Sequence, residues 1–322
     1  MRILLTGAGG PSAISVWKSL AADHEIHMAD MDPAAAGLYL VPPDRRLILP
    51  RGTDPTLAPV LLEACRARRI EILIPTVDFE FAAIAEASDR FEKMGVAVAL
   101  SPPSCLALCR DKHALLSRLD GVVPIPSSAP LTPETAAAAK DFPLFVKPRA
   151  GAGSRNAVLI AKRSDLDALP QDGSHLLQEY LPGEEFSVDV YVSGAGQPIA
   201  AVPRERIKTD SGVAVTARTV KQPELIEAAL RVAREIGVRY VANVQFRRAA
   251  DGQFKLLEVN ARFPGTLPLT ARAGVDIPKL LVDDLCGKPL PASLMPFEEV
   301  MVVRYWTEHY FDPSEWSALC PR

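Results

Sequence analysis

The chain has 322 residues, a length that predicts two or three domains. Apolar residues make up 48% of it and charged residues 23%, which are ordinary values for a globular protein and exclude a disordered, collagen-like or coiled-coil chain. The 36 Lys and Arg residues nearly balance the 39 Asp and Glu residues, and the formal net charge of -3 argues against a general nucleic-acid-binding protein.

The cysteines and the apolar runs bear on where the protein works. The five cysteines form no C-x-x-C pair, a usage typical of reduced thiols in a cytoplasmic protein. No run approaches the roughly 20 apolar residues that a membrane helix needs. The opening MRILLTGAGG is a short apolar segment running into glycines, which is not the pattern of a signal peptide. We therefore expect a cytoplasmic protein with no membrane partner.

The first 105 residues alternate between predicted strands and helices. This alternation predicts a parallel sheet with right-handed crossovers, a Rossmann-like layer. The predicted strands are 2–6, 25–29, 46–49, 70–75 and 96–100. The predicted helices are 11–22, 57–68 and 79–94.

The remainder of the chain predicts a mixed α+β region. Its predicted helices are 111–119, 224–236 and two that begin near Leu267 and Ile277. Its predicted strands are 142–147, 157–161, 176–180, 186–192, 240–247, 253–259 and 300–305. The segment 203–218 alternates cations with small residues, and we leave it open as a substrate-binding segment or a solvated strand.

A glycine-rich segment, GAGGPSAIS at 7–15, joins the first strand to the first helix. Backbone N–H groups at such a turn can hold an anion together with the helix N-terminus. Gly7 and Gly9 match the dinucleotide fingerprint G-x-G-x-x-G, but its third position is Ser12. Asp30 lies near the end of the second strand, where a ribose-binding acid would stand. An NAD(P)-dependent oxidoreductase is therefore one hypothesis, and a tight turn that packs the helix on the sheet is the other.

A lysine on an apolar strand precedes a second glycine-rich loop in FPLFVKPRAGAGSRN at 142–156. Lys147 supplies a point charge, and Gly151 and Gly153 let backbone amides close over an anion. The order differs from a Walker A loop, in which the lysine follows the glycines. The pattern predicts a phosphate-binding strand and loop, with an exposed lysine beside a hairpin turn as the alternative.

Acidic residues flank a Pro-Gly turn in LLQEYLPGEEFSVDV at 176–190. Glu179 ends an apolar strand, and Glu184 and Glu185 open the next one. Such strand edges can present backbone groups and one carboxylate to a purine, and a second carboxylate to ribose hydroxyls. A hairpin with solvated acids is the alternative.

The segment NVQFRRAADGQFKLLEVNARFPGT at 243–266 carries a set of polar oxygens on a predicted hairpin. Glu258 and Asn260 alternate with apolar residues, so a strand places both on one face. Gln245 on the partner strand can join them. Carboxylate and amide oxygens suit Mg²⁺. Arg262 shares this face and offers a planar fork to a phosphoryl or carboxylate group.

These segments, in this order, resemble the ATP-grasp superfamily, and in particular its branch similar to the large subunit of carbamoyl-phosphate synthase. The resemblance rests on the lysine before the glycine loop, the acidic hinge, and Asn-Val-Gln followed by Glu-Val-Asn-x-Arg. It implies a Rossmann-like pre-ATP-grasp domain followed by an ATP-grasp fold with a glycine-rich lid. The implied divisions are a first domain over 1–110 and an ATP-grasp domain over 111–322, with a small lid subdomain over 121–181 and a large metal-binding subdomain over 182–310.

The resemblance implies an ATP-dependent carboxylate–amine or carboxylate–thiol ligase. Such enzymes form an acyl phosphate and release ADP and phosphate, here on a small amino-acid-like substrate. The implied cofactors are ATP and Mg²⁺, with Mn²⁺ as a substitute, and the partners are small molecules rather than nucleic acid; a homodimer stays open. The chain is much shorter than a carbamoyl-phosphate synthase and shows no second ATP-grasp copy, which favours a stand-alone ligase. A non-catalytic ATP-binding protein is a further alternative to the oxidoreductase.

The resemblance also assigns roles to single residues. The expected ATP-binding residues are Lys112, Lys147, Gly151, Gly153, Ser154, Glu179, Leu181 and Glu185, with 150–156 as the lid. The expected metal ligands are Gln245, Glu258 and Asn260. Arg262 would act with Lys147 as a catalytic residue. Many relatives have an acid where Gln245 stands, so this site carries less negative charge. The substrate-side candidates are Gly10, Ser12, Asp78, Arg204, Arg206 and Lys208.

Overall fold

A computed structural model describes residues 1–151 and 157–319. The N-terminal part is a five-stranded parallel sheet in the order β3-β2-β1-β4-β5, as the alternating pattern predicts. The strands are β1 Arg2–Thr6, β2 Glu25–Asp30, β3 Arg46–Ile48, β4 Ile72–Ile74 and β5 Ala97–Val98. The helices are α1 Pro11–Leu20, α2 Leu57–Arg68, α3 Phe81–Glu86 and α4 Ser88–Lys93. The prediction of one helix over 79–94 is wrong, because the Ala87 amide bonds to the Ile84 carbonyl and tightens the turn that ends α3.

Two consecutive helices, α5 Pro103–Arg110 and α6 Lys112–Leu119, link the N-terminal sheet to the rest of the chain. Asp111 separates them because its side chain accepts the N–H groups of His113 at 3.0 Å and Ala114 at 3.2 Å, and so caps α6. The same carboxylate receives two bonds from Arg149, at 2.8 and 2.6 Å. This pairing ties the start of α6 to the residues that precede the glycine-rich loop.

A small antiparallel sheet follows in the order β6-β9-β7-β8. Its strands are β6 Ser128–Pro130, β7 Leu144–Pro148, β8 Val158–Ile160 and β9 His175–Glu179, with α7 Pro133–Ala138 beside them. Leu131, Val146, Ile160 and Leu166 form its own apolar core. The sheet is therefore a packed unit that presents Lys147 at the end of β7.

A six-stranded antiparallel sheet, here the large sheet, has the order β14-β13-β10-β11-β12-β15. Its strands are β10 Glu185–Val192, β11 Pro198–Asp210, β12 Val213–Thr219, β13 Tyr240–Arg248, β14 Phe254–Asn260 and β15 Met301–Val303. The segment 203–218, left open above, lies within the hairpin of β11 and β12. The remaining helices are α8 Pro223–Glu235, α9 Leu267–Arg272, α10 Ile277–Leu285 and α11 Pro313–Leu319.

The two faces of the large sheet differ in polarity. Phe186, Val188 and Val190 of β10 pack on the apolar side of α8. Ser187 and Asp189, which alternate with them, point to the opposite face. Helices α9 and α10 lie on that second face, where Thr270 contacts Asp189 and Asp284 contacts Tyr191. The N-terminal helix α1 packs against α9 and α10, and the two parts share one apolar core.

Among the described residues, the helices are all too short or too polar to cross a bilayer.

Candidate active site

A cleft of about 440 Å³ opens between the small sheet and the large sheet. The end of β7, the hinge after β9 and the strands β13 and β14 form its walls. It is lined by Phe79, Lys112, Phe145, Lys147, Pro148, Ala150, Gly151, Ala157, Gln178, Glu179, Tyr180, Leu181, Glu185, Gln245, Arg247, Leu257 and Glu258. A volume of this size lies within the range of about 300–1,000 Å³ that is common for small-molecule sites.

Two lysines and one glutamate meet at one end of this cleft. Lys147 Nζ donates to the Leu257 carbonyl at 3.1 Å, and Lys112 Nζ donates to the Gly151 carbonyl at 2.9 Å. Lys112 Nζ also lies 3.5 Å from Glu258 Oε2. Two ammonium groups thus share one carboxylate, which leaves this end of the cleft with an excess of positive charge.

Burial and mutual charge set the protonation of this cluster. Burial lowers the pKa of Lys147 to about 8, with Glu258 opposing the shift and Lys112 adding to it. Burial by itself would raise the pKa of Glu258, but the charges of Lys112 and Lys147 and the hydrogen bond from Asn260 hold it below its ordinary value. Glu258 is therefore a carboxylate at neutral pH, ready to ligate a cation.

The three expected metal ligands lie together on the polar face of the large sheet. Gln245 on β13 is directly opposite Glu258 on β14. Asn260 donates its Nδ2 to Glu258 Oε1 at 3.1 Å, and Gln245 donates its Nε2 to Asn243 Oδ1 at 3.1 Å. Both amides engage their nitrogens, so their oxygens are the atoms left for a cation.

This donor set fits a hard divalent ion. One carboxylate and two amide oxygens are ligands that Mg²⁺ accepts when phosphates and water complete its shell. Within residues 1–151 and 157–319, no group of three or more His, Cys, Asp or Glu side chains forms a candidate metal site. A cation held here by Glu258 would therefore draw its other protein ligands from the amide oxygens of Gln245 and Asn260.

The other end of the cleft holds the three hinge residues expected from the sequence: Glu179, Leu181 and Glu185. The Glu179 carboxylate accepts hydrogen bonds from Lys255 Nζ, at 2.7 and 2.8 Å, and from the Ser127 N–H at 3.1 Å. Glu185 Oε1 lies 2.8 Å from Arg206 Nε. Both carboxylates are thus already paired, so a ligand at this end would meet the hinge backbone and fixed carboxylates.

Arg262 lies where the large sheet meets loops of the N-terminal sheet. Its Nε donates to Asp78 Oδ2 at 2.8 Å, and its Nη1 lies 3.5 Å from Ser12 Oγ. Gly10 caps the start of the same helix α1, and its N–H donates to the Gly7 carbonyl at 2.8 Å. The fold therefore brings Arg262 next to Asp78 and Ser12, which the sequence analysis named from distant segments.

The remaining cationic candidates are placed differently. Arg204 is 1% exposed and gives two hydrogen bonds to Asp189, at 2.8 and 2.6 Å, so it does not face the cleft. Asp189 also accepts from Asn243 at 2.8 Å. Arg206 pairs with Glu185, whereas Lys208 is exposed near the distal end of β11. Arg204 thus acts inside the sheet, and its direct contact with a substrate is not supported.

The N-terminal glycine loop does not offer the acid that a dinucleotide ribose would need. Asp30 Oδ2 accepts the Gly9 N–H at 2.7 Å, and its Oδ1 accepts the Asp32 N–H at 3.0 Å. The carboxylate therefore braces its own loop, which is the tight-turn interpretation of this segment.

Gly153 and Ser154, both named as ATP-binding, lie outside the described residues, as does most of the expected lid.

Several residues near the site were not found by sequence reasoning, among them Phe79, Gln178 and Arg304. Phe79 and Gln178 line the cleft, and Gln178 Oε1 is buried with no hydrogen-bond partner among the described residues. Arg304 follows β15 and donates its Nη1 to the Gly265 carbonyl at 2.9 Å. The only local signals are an aromatic next to Asp78, a glutamine before Glu179, and an arginine after an apolar run.

Comparison with known proteins agrees with this architecture. Residues 3–99 match the family model "PylC-like, N-terminal domain", and residues 171–309 match "ATP-grasp in the biosynthetic pathway with Ter operon". The arginine-specific carbamoyl phosphate synthase large chain of Geobacillus stearothermophilus is 28% identical over 162 residues, covering 46% of this chain and 15% of the relative. Carnosine synthase 1 of Gallus gallus is 30% identical over 311 residues, covering 82% of this chain and 32% of the relative.

A solved structure supports the same fold. The biotin carboxylase domain of Hydrogenobacter thermophilus 2-oxoglutarate carboxylase, solved with MgADP, ADP and bicarbonate, superimposes with a TM-score of 0.73 at 19% identity, over 92% of this chain and 72% of that one. The chain spans less than a third of the length of either the carbamoyl phosphate synthase large chain or carnosine synthase 1. The chain consists of a PylC-like N-terminal domain followed by an ATP-grasp domain.

Proposed function

We propose that the protein is an ATP-dependent ligase that joins a carboxylate to an amine, or to a thiol, through an acyl phosphate. The observation that carries this proposal is the meeting of Lys112, Lys147 and Glu258 at the end of the cleft beside the strand that leads to Arg262. Two buried cations suit the phosphates of a nucleotide, and a carboxylate between them suits a phosphate-bound cation.

In this proposal the nucleotide lies along the cleft. Its base contacts the hinge at Glu179 and Leu181, and its ribose lies near Glu185. Lys147 and Lys112 bind phosphate oxygens, beside Gly151, whose carbonyl Lys112 contacts. The ammonium groups neutralise charge on the phosphates without moving, so no solvent reorganisation is needed when charge develops.

Gln245, Glu258 and Asn260 would hold Mg²⁺, for which Mn²⁺ can substitute. A bound cation supplies charge neutralisation and orients the terminal phosphate. The protein's own part is to fix the oxygen ligands on adjacent strands and to keep Glu258 ionised through the two lysines. One structural relative, the biotin carboxylase domain solved with MgADP, has the same pairing of nucleotide and metal.

The proposed reaction has two steps. A carboxylate oxygen attacks the terminal phosphorus, the bond to the bridging oxygen breaks, and ADP leaves. The amine then attacks the acyl carbon, loses a proton, and displaces phosphate. Arg262 provides a planar donor pair for the anionic acyl phosphate, once the substrate has displaced its bond to Asp78.

The substrates are small molecules, in keeping with a cleft of about 440 Å³. Within this proposal the carboxylate and the amine are of amino-acid size. We place the reaction in the cytoplasm, since ATP is abundant there and the cysteines at 65, 105, 109 and 286 are all free thiols.

A screen of ATP turnover over amino acids and small carboxylates, singly and in pairs, tests the proposal. We expect ADP and phosphate rather than AMP and pyrophosphate. Hydroxylamine added with the accepted acid should yield a hydroxamate without the natural amine, because the acyl phosphate forms first. Arg262→Ala should lose most of that hydroxamate, whereas Lys93→Ala, an exposed lysine on α4, should retain it. Release of AMP, or full hydroxamate yield from Arg262→Ala, would contradict the mechanism.

A further inference from the structure

Among the described residues Arg304 has no acidic partner, whereas three other arginines of this part of the protein each have one. Arg204, Arg206 and Arg262 pair with Asp189, Glu185 and Asp78. Arg304 donates its Nη1 to the Gly265 carbonyl at 2.9 Å, and in the part of the chain that the structure describes no carboxylate lies within 4.0 Å of it. Its positive charge is therefore left without a counter-ion among the residues that the structure describes.

The surroundings of Arg304 make that charge costly. The residue is partly buried, and burial, together with the nearby charge of Arg204, lowers its pKa. An arginine nevertheless stays protonated, because its ordinary pKa is above about 12. Arg204, whose charge acts on Arg304, also has a buried Nη1 with no acceptor among the described residues. The charge of Arg204 is already paired with Asp189, so Arg304 is the member of this pair of arginines that has no acidic partner among the described residues.

Arg304 and Arg262 are held by the same short loop. Arg262 Nη1 donates to the Phe263 carbonyl at 3.3 Å, and Arg304 Nη1 donates to the Gly265 carbonyl. Carbonyl groups two residues apart are separated by at most about 7 Å. The Gly265 carbonyl also accepts from Ser15 Oγ at 3.1 Å, which fixes the loop against α1. Two guanidinium groups are thus anchored on carbonyls of one short loop, close enough for one small molecule, or two that react together, to contact both.

We propose that Arg304 binds a non-reacting carboxylate of a substrate, while Arg262 faces the carboxylate that is activated. This inference rests on the proposed ligase function. A guanidinium matches a carboxylate through two parallel N–H···O bonds, and a carboxylate supplies the missing counter-ion. The group belongs either to an acyl donor with two acid groups or to an amino-acid acceptor, and the two sources are separable by experiment.

Calorimetry in the presence of MgADP provides the test. Succinate is compared with butyrate to probe the acyl donor, and alanine with ethylamine to probe the acceptor. We expect either succinate to bind at least about tenfold more tightly than butyrate, or alanine to bind at least about tenfold more tightly than ethylamine, as a charge-assisted pair would give. Arg304→Gln should remove this preference and Arg304→Lys should restore part of it. Arg218→Gln, an exposed arginine on the adjacent strand β12, should keep it in full.

The outcomes separate the two proposals. In turnover, Arg304→Gln should raise KM for the preferred substrate while kcat changes little, because Arg304 binds a group that does not react. A preference that survives Arg304→Gln, or the absence of any preference in the unmodified protein, would overturn the assignment of Arg304. If the preference depends on Arg304 but no acid releases ADP, the anion site stands and the ligase proposal fails.

Discussion

Arg262 and Asp78 join the two parts of the protein through a hydrogen bond of 2.8 Å from Nε to Oδ2. Asp78 follows the fourth strand of the parallel sheet, whereas Arg262 follows the last long strand of the large sheet. Arg262, which we propose to bind the acyl phosphate, is therefore paired with Asp78 in the free protein. A substrate carboxylate must displace Asp78 in order to bind Arg262.

Replacement of Asp78 tests this competition. In Asp78→Asn we expect the KM for the acid to fall about two- to fivefold, since a partly exposed ion pair is worth up to about 1 kcal/mol and no longer has to be broken. The matched variant Asp89→Asn, on an exposed position of α4, should leave KM unchanged. Initial-rate kinetics measures the effect, and a higher KM for Asp78→Asn would show that Asp78 positions Arg262 rather than competing for it.

Lys147 and Glu258 should fail in different ways when replaced. Lys147→Ala should weaken MgADP binding at least about tenfold, because the lysine contacts phosphate in the resting complex. Glu258→Gln should retain ADP binding within a few-fold but lower kcat at least about a hundredfold, because it removes the only formal negative charge of the metal set. Equal losses of binding in both variants, measured by calorimetry, would contradict this division.

The buried position of Lys147 predicts a pH dependence for nucleotide affinity. Its pKa is lowered to about 8 by burial, so the ammonium is progressively lost as pH rises through that value. Affinity for ADP should therefore be full below about pH 7 and fall by up to about tenfold between pH 8 and pH 9. Lys147→Arg keeps its charge and should show a flat profile over this range. A profile in the unmodified protein that stays flat above pH 8 would contradict an anion contact at Lys147.

The buried carboxyl group of Glu80 leads us to expect a pH dependence of folding stability below neutral pH. Burial raises the pKa of this carboxyl to about 7, with Asp30 adding to the shift and the hydrogen bond from Thr6 opposing it. The folded state then holds a proton that the unfolded state has lost, so stability falls as pH rises from about 4.5 to about 7, by at most about 3 kcal/mol. Glu80→Gln should reduce this fall in thermal-denaturation curves, whereas Glu86→Gln, exposed on α3, should not.

Several parts of the site could be predicted from local sequence alone. Glu258 and Asn260 are two residues apart on an apolar strand, and the side-chain period of a strand places them on one face. Lys147 lies near the end of a strand just before glycines, which predicts a charge beside a glycine-rich loop. The parallel sheet of residues 2–98 likewise follows from alternating strands and helices, since that order requires crossover connections.

Other parts depend on contacts between distant segments, which no local pattern specifies. The alternation of apolar and polar residues that predicts β1 and β14 is local to each strand. The contact of Arg262 with Asp78 instead depends on how the large sheet packs against the N-terminal part. The same holds for the burial of Arg204 against Asp189, which turns an apparent substrate cation into part of the sheet. The tertiary structure is also needed to single out Arg304, because only the structure shows that no acid among the described residues lies close to its side chain. Strand period and turn composition act over a few residues, whereas the ionisation, pairing and accessibility of these side chains depend on the whole packed interior.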